Sequence, residues 1–201
     1  NIVVGEKGGI SFPLNTSKGV ENVCLQLLGK HNVINATAAA TAALEAGASL
    51  KSVSVGLSSV EPVNRRLKPY VGLNGCCVVD DTYNASPTSF KAAIDVLVSF
   101  PEHKILIAGD MKELGSEAED SHRQVGSYGK ETGVDELWTV GELSSLCSAE
   151  FGKKGRHFTA TEELIAACKS IARNDVVFLV KGSRGAHMEV VVDELIATGG
   201  D

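Results

Sequence analysis

The 201-residue sequence lacks the short motifs that hold phosphates or metals in many enzymes. It has no G-x-x-x-x-G-K-[ST] loop, which excludes the usual lysine-bearing cradle for the β- and γ-phosphates of ATP. No G-x-G-x-x-G follows a predicted strand, so a dinucleotide site is not expected. The five histidines are dispersed without zinc-ligand spacing, and no G-x-S-x-G nucleophile elbow is present. The residues therefore predict no metal site in this chain.

Long apolar runs and an excess of basic charge are also missing. No apolar stretch approaches the ~18 residues of a membrane span, and the first residues do not resemble a signal peptide. A net charge of -6 argues against a protein that grips nucleic acid through broad phosphate neutralisation. The five cysteines are scattered, which is typical of a reducing compartment. We therefore expect a cytoplasmic monomer that neither binds nucleic acid nor spans a membrane.

The first third of the chain predicts a small mixed region. Glycine-punctuated apolar stretches in residues 1–28 indicate two or three antiparallel strands with turns at residues 6–9 and 15–19. An alanine-rich helix that ends near Gly47 follows, and then a second helix over residues 50–59 with Ser49 as its cap. The chain starts without Met, on what resembles a strand, and we interpret it as part of something longer. Residues 61–67 lack periodicity, which fits a domain boundary.

Beyond that boundary, strands and helices alternate. Strands are predicted at residues 76–81, 104–109, 136–140 and 175–180, with a weaker edge strand at 156–158. Helices are predicted near residues 87–99, 117–131, 143–151, 162–173 and 187–197. This order favours an α/β fold, a mostly parallel sheet with helices on both faces. Ser86 and Pro87 mark one helix start, and capping boxes are predicted from Ser116 with Glu119 and from Thr159 with Glu162.

Polar residues gather where the predicted strands end, at Asp80-Asp81, residues 109–113, Gly141-Glu142 and residues 181–184. Carboxyl ends of parallel strands lie along one edge of a sheet, so these side chains could line a single ligand cleft. A solvated rim is the alternative. Lys181 and Ser183 suit a carboxylate or phosphate, although residues 181–183 could also be a simple connection between a strand and a helix.

Three further groups of residues are candidates for ligand contacts. Asn32 and Asn35 lie three apart on a helix and could present their amides to a purine or a ribose, or could cap the helix start. The paired arginines Arg65 and Arg66 could reach a phosphate or ribose from the boundary, or could be solvated surface charges. Asp80, Asp81 and Asn84 could likewise be turn formers and nothing more.

Five motifs stand out along the chain: residues 29–35, Arg66-Leu67, residues 80–87, residues 109–115 and residues 180–184. Their order resembles that in the Mur ligases, and the similarity covers nearly the whole chain. This family has three domains, of which the last is Rossmann-like. The resemblance implies that residues 1–62 are the C-terminal part of the central ATP-binding domain and residues 63–201 are the C-terminal domain.

The resemblance implies an ATP-dependent ligase that joins D-alanyl-D-alanine to UDP-N-acetylmuramoyl-tripeptide through an acyl phosphate. ATP and Mg²⁺ would be required. The phosphate loop, the magnesium ligands and a carbamylated lysine would belong to a part of the central domain that this sequence does not include, so the chain alone is expected to be inactive. One alternative is a non-catalytic nucleotide- or peptide-binding module. Another is a related ligase such as a folylpolyglutamate synthase, but the motif at residues 109–115 disfavours that second alternative.

Residue roles follow from the same resemblance. Nucleotide contacts are implied for six residues: the adenine and ribose side for Asn32 and Asn35, the boundary arginine for Arg66, the ribose hydroxyls for Asp81, and adjacent positions for Tyr83 and Asn84. Lys181 and Ser183 would face the incoming dipeptide or the acyl phosphate. The family usually has glycine where this chain has Arg65, which leaves open whether Arg65 or Arg66 plays the arginine role.

Overall fold

The structure is a computed structural model that describes residues 2–5 and 9–196. The chain divides into two compact units, Asn1–Val63 and Asn64–Asp201. Each unit has its own sheet and its own buried apolar residues, so each is described separately.

The first unit is a three-stranded antiparallel sheet with two helices, as predicted. Strand β2 alternates buried and partly exposed residues, and its buried side chains pack with residues of both helices. Ser49 caps the second helix by accepting a hydrogen bond from Ser52 N–H at 3.1 Å. Of the predicted turn at residues 6–9, residues 6–8 lie outside the described residues. The elements are β1 Val3–Val4, β2 Ile10–Thr16, β3 Gly19–Leu25, α1 His31–Glu45 and α2 Leu50–Ser58.

The second unit contains a six-stranded sheet in the order β4-β5-β9-β6-β7-β8, in which only β4 is antiparallel. This confirms the mostly parallel α/β prediction. The strands are β4 Lys68–Val71, β5 Cys77–Asp81, β6 His103–Ala108, β7 Glu136–Val140, β8 Gly155–Phe158 and β9 Val176–Lys181. The helices are α3 Pro87–Leu97, α4 Ala118–Thr132, α5 Ser145–Phe151, α6 Thr161–Ile171 and α7 Glu189–Leu195.

Helices cover both faces of this sheet. Helices α3, α4 and α5 contact one another in sequence, and α6 contacts α7. Val78 and Val180 belong to the apolar cluster that includes residues of α6 and α7. Successive side chains of a strand point to opposite faces, so their fully buried neighbours Val79 and Leu179 face the other layer. A sheet buried on both faces explains why these strands are continuous apolar runs.

Of the three helix caps predicted in this unit, the cap at Ser86 is confirmed and the two capping boxes are wrong, although helices α4 and α6 begin within one residue of their predicted starts. Ser86 Oγ accepts a hydrogen bond from Ser89 N–H at 3.2 Å, and Pro87 is the first helical residue. Ser116 caps nothing, because it lies inside a 3-10 turn that runs directly into α4. Thr159 lies one residue before the actual cap position, Ala160.

The last helix also begins later than predicted. His187 has a left-handed backbone (φ 50°), so the helix can only start after it, at Glu189. The helix ends at Leu195, because Ile196 already has an extended backbone (ψ 134°); residue 197, the predicted end, lies outside the described residues.

Candidate functional site

The carboxyl ends of β5, β9, β6 and β7 lie side by side at one edge of the second unit's sheet, as the sequence predicted. Strand β9 lies between β5 and β6, and the strand register pairs Lys181 with Asp81 on one side and with Ala108 on the other. The polar residues that follow β5, β6 and β9 are therefore neighbours in space although they are far apart in sequence. This placement follows from the crossover that inserts the last strand between the first two parallel ones.

Lys181 is buried in this edge rather than exposed on it. Its residue is only 1% exposed, and its ammonium donates to Asp81 Oδ2 at 2.6 Å and to the Asn84 carbonyl at 2.9 Å. The ammonium also lies 5.5 Å from the ring centroid of Phe90 on α3. Lys181 thereby fastens the end of β5 to the loop that leads into α3.

Burial acts on both members of this ion pair. It lowers the pKa of Lys181 and raises the pKa of Asp81, while the charge of each partner acts in the opposite direction. Asp81 also accepts a hydrogen bond from Leu67 N–H at 3.2 Å. A carboxylate has about four acceptor positions, so Asp81 can hold these two donors and still accept another.

Asp80 has a local structural role. Its Oδ1 accepts from both the backbone N–H and the hydroxyl of Thr82, at 3.1 and 2.7 Å. Burial raises the pKa of Asp80, although these hydrogen bonds and the charge of Arg65 lower it in part. The interpretation of this residue as a turn former is confirmed. The turn presents Tyr83, whose N–H donates to the Arg65 carbonyl at 3.1 Å.

The two arginines have different environments. The Arg66 guanidinium lies 4.2 Å from the ring centroid of Tyr83, and that tyrosine is half exposed. Arg65 points to Glu189, with 3.7 Å between Nη1 and Oε1. Arg65 also has φ 65°, a left-handed backbone that favours glycine. Arg66 is therefore the arginine that joins the exposed aromatic side chain at the strand edge.

A cleft of about 300 Å³ opens at this edge. Ser183 Oγ accepts from Lys112 N–H at 2.8 Å, which leaves the hydroxyl proton of Ser183 available as a donor. The side chains of Lys112 and Arg184 are more than half exposed, and both residues line the same cleft as Ser183. The cleft is lined by Tyr83, Asn84, Lys112, Glu113, Ser183, Arg184 and Gly185.

The sequence placed Lys112, Glu113 and Arg184 among the residues that could line a cleft, but it gave none of them an individual role. They stand in the stretches that follow β6 and β9, but nothing in the sequence separates them from their neighbours. Asp110, in the same stretch, likewise has no individual role predicted; its Oδ1 accepts from Ser144 N–H at 2.8 Å and so joins the loops after β6 and β7. Gly141 accommodates that carboxylate, because a Cβ there would lie 2.4 Å from Asp110 Oδ1.

In the first unit, Asn32 and Asn35 share one face of α1. Asn35 Nδ2 donates to Asn32 Oδ1 at 3.1 Å, and Asn32 Nδ2 donates to the Leu28 carbonyl at 2.8 Å. The predicted common direction is confirmed. Neither residue is the helix cap, since that position is Lys30 and no side chain accepts there.

Within residues 2–5 and 9–196, no group of three or more His, Cys, Asp and Glu side chains could hold a metal ion. Among the helices that the structure describes, none is long and apolar enough to cross a membrane.

The chain is similar to proteins of a described family. The family model for "Mur ligase, glutamate ligase domain" matches residues 65–184. The chain is 41% identical over 193 residues to the UDP-N-acetylmuramoyl-tripeptide--D-alanyl-D-alanine ligase of Escherichia coli K12. The aligned region covers 95% of this chain and 42% of that protein. The chain thus spans less than half the length of this relative.

Solved structures are similar as well. A crystal structure of MurF from Acinetobacter baumannii superposes with a TM-score of 0.86 at 33% identity, covering 96% of this chain and 43% of that one. MurF from Thermotoga maritima in complex with ADP gives a TM-score of 0.81, covering 96% and 44% of the two chains. At 23% identity the latter likeness shows the fold alone.

Proposed function

Because the chain belongs to the Mur ligase family, we propose that it is part of an ATP-dependent ligase that joins D-alanyl-D-alanine to UDP-N-acetylmuramoyl-tripeptide. Relatives of that name support the proposal. In the proposed reaction the tripeptide carboxylate takes the γ-phosphoryl group of ATP and ADP leaves. The amine of the dipeptide then attacks the acyl phosphate carbon, an amide bond forms, and inorganic phosphate departs. Protein groups contribute to such chemistry mainly by positioning and by stabilising charge.

The proposed domain assignment places residues 1–62 at the end of the central ATP-binding domain and residues 63–201 in the C-terminal domain. The division into two units after Val63 and the family match at residues 65–184 support it. Mg²⁺ would be held elsewhere in the central domain, since the described residues do not offer a metal-binding group. Accordingly, no step of the reaction is assigned to magnesium on this chain.

The observation that carries the proposal is the cleft at the ends of β5, β6 and β9. The Ser183 hydroxyl lines this cleft together with the exposed cationic side chains of Lys112 and Arg184, and such a set fits the carboxylate of an incoming dipeptide. Lys181 would serve the same site without touching the dipeptide, because its buried ammonium holds Asp81 and the Asn84 carbonyl.

The nucleotide contacts are proposed for both units. Arg66, Asp81, Tyr83 and Asn84 would meet the nucleotide from the second unit. The exposed face of Tyr83 is suited to stacking, and a remaining acceptor position of Asp81 is suited to a ribose hydroxyl. Asn32 and Asn35 would supply amides on the adenine and ribose side from the first unit, which their shared helix face supports.

The test uses a hybrid enzyme in which this chain replaces the matching part of the Escherichia coli relative. The hybrid should release phosphate from ATP only when both the tripeptide substrate and D-alanyl-D-alanine are present. The 201-residue chain alone should release none. A folded hybrid that binds ATP but lacks dipeptide-dependent turnover would contradict the proposal, as would turnover by the chain alone.

Calorimetric titration of the chain with ATP and with D-alanyl-D-alanine distinguishes the alternative of a non-catalytic binding module, which would bind tightly without a partner domain. Substrate screening of the full-length enzyme, with a folate and glutamate in place of the tripeptide substrate and the dipeptide, tests for a folylpolyglutamate synthase. We further propose a monomer located in the cytoplasm, where this substrate chemistry would take place. Light scattering of the purified chain checks the oligomeric state.

A further inference from the structure

His122 lies in the second turn of α4 and is fully buried. Both of its ring nitrogens bond to the backbone. Nε2 lies 3.0 Å from the Met111 N–H, and Nδ1 lies 2.6 Å from the Ala118 carbonyl oxygen. One imidazole therefore connects the helix to the loop after β6.

The two partners fix the state of the ring. A backbone N–H can only donate, so Nε2 must accept and carries no proton. A carbonyl can only accept, so Nδ1 carries the proton. The ring is thus the neutral Nδ1–H tautomer, and only a side chain with an acceptor at that distance from the helix can satisfy the buried Met111 N–H.

The loop that His122 holds contributes directly to the cleft. Immediately after Met111, Lys112 N–H donates to Ser183 Oγ at 2.8 Å, and Ser183 N–H donates back to the Asp110 carbonyl at 3.0 Å. Lys112 and the following Glu113, which has a left-handed backbone (φ 62°), both line the cleft. The position of His122 relative to Met111 therefore bears on where these two side chains and the Ser183 hydroxyl stand.

We propose that His122 is a positioning residue for this cleft: through the Met111 N–H it holds the loop of residues 109–113 so that Lys112 and Ser183 meet the incoming dipeptide. The proposal rests on the function proposed for the cleft. His122 itself is too deeply buried to touch a ligand.

Two substitutions by amide side chains distinguish the hydrogen bond to Met111 N–H from the general effect of filling this buried position. In His122→Gln the side-chain oxygen stands as many bonds from the backbone as Nε2 does, so it can accept from Met111 N–H. In His122→Asn the amide is one carbon shorter; it can replace the contact to the Ala118 carbonyl but not the contact to Met111. Both variants are polar, uncharged and smaller than histidine, so they control for each other.

The first measurement is backbone amide hydrogen exchange in the 201-residue chain. His122→Asn should accelerate exchange at Met111 and Lys112 by about tenfold or more, while exchange at Leu106 in β6 changes by less than about threefold. His122→Gln should stay within about threefold of the unsubstituted chain at all three amides.

Equal exchange at Met111 in the two variants would overturn the proposal. If the Asn variant does not fold, the absence of a nitrogen–nitrogen coupling between Met111 and His122 Nε2 in the unsubstituted chain would do the same.

The second measurement is steady-state kinetics in the hybrid ligase. His122→Asn should raise the KM for D-alanyl-D-alanine by about tenfold and leave the KM for ATP within about twofold, and His122→Gln should restore the dipeptide KM. Parallel changes in both KM values, or no rescue by glutamine, would overturn the positioning role. An inactive unsubstituted hybrid would instead count against the proposed function, while the exchange measurement would still decide whether His122 holds the loop.

Discussion

Two lysines at the same edge of the sheet have opposite environments. Lys181 ends strand β9, is 1% exposed, and its ammonium is held by Asp81 and the Asn84 carbonyl. Lys112 lies in the loop after β6, its side chain is 54% exposed, and its ammonium is 3.5 Å from Asp110. The family resemblance gave an individual role to Lys181, whereas the lysine that lines the cleft is Lys112.

The difference shows how position relative to a strand end separates structural from ligand-facing polar residues. The last residue of a strand still follows the alternation of the sheet, so Lys181 points to the same face as Leu179, beneath α3. A residue a few positions beyond the strand is free of that constraint and can turn to solvent. Ser183 is intermediate, since it is buried yet its hydroxyl reaches the cleft.

The strongest test of this comparison is to remove each ammonium in turn. Lys181→Met should lower the free energy of unfolding by about 3 to 5 kcal/mol, because it leaves Asp81 buried without its cation. Lys112→Met should change it by less than about 0.5 kcal/mol, because the side chain is exposed. Urea denaturation at neutral pH measures both.

A double-mutant cycle sharpens the result. In Asp81→Asn/Lys181→Met neither charge remains, so the loss should be smaller than the sum of the two single losses by about 1 kcal/mol or more. Strictly additive losses, or a Lys112 variant as unstable as the Lys181 variant, would remove the distinction between the two lysines.

The elements of the fold could be predicted because each leaves a local signal. The apolar run that forms β9 and the Ser86-Pro87 start of α3 were found correctly from neighbouring residues alone. The gathering of polar residues at one edge of the sheet could also be predicted, because the carboxyl ends of parallel strands lie along the same edge.

The details of the site could not be predicted, since they depend on contacts between residues distant in sequence. The Lys181 pair spans 100 positions, and its burial depends on how α3 covers the strand end. His122 contacts a residue eleven positions away only because a 3-10 turn folds the loop back against α4. The same turn explains why the Ser116 capping box failed, as the cap needs an extended backbone there.

The pH dependence of stability tests whether two buried cysteine thiols are as well shielded from solvent as Lys181 is. Burial raises the pKa of Cys147 and of Cys168 from 9.0 to about 12. Between these values the unfolded chain loses protons that the folded chain keeps, so stability is highest below pH 9 and falls as pH rises towards 12. From pH 8 to pH 10 the two thiols together should cost about 1 to 3 kcal/mol.

Urea denaturation at both pH values measures this, with Cys147→Ala/Cys168→Ala as the control. Other titrating groups, including Lys181, remain in the control, so only the difference between the two pH dependences is attributed to the thiols. An identical fall in stability in both proteins would show that the thiols are not protected by the fold.

Two serines that the sequence predicted as helix caps differ in the structure, since one side chain is hydrogen-bonded to a helix start and the other is not. Ser86→Ala should lower the free energy of unfolding by about 1 kcal/mol, because Ser86 Oγ accepts from Ser89 N–H at the start of α3. Ser116→Ala should cost less than about 0.5 kcal/mol, because the helix it precedes has no side-chain cap. Thermal and urea denaturation of the two variants give the comparison, and equal losses would contradict it.

The smallest expected effect concerns Arg65, where the backbone and the side chain make opposite demands. Its φ of 65° favours glycine, while its guanidinium lies 3.7 Å from Glu189. Arg65→Ala and Arg65→Gly both remove the ion pair, so their difference reports the backbone alone. The glycine variant should be the more stable by about 0.5 to 1 kcal/mol, since relief of the left-handed conformation exceeds the extra entropy of the unfolded chain.

Urea denaturation measures the difference, and an alanine variant as stable as the glycine variant would mean that residue 65 carries no backbone strain. Because the Arg65 carbonyl accepts from Tyr83 N–H, exchange at that amide should be unchanged in the glycine variant if the turn that presents Arg66 keeps its shape.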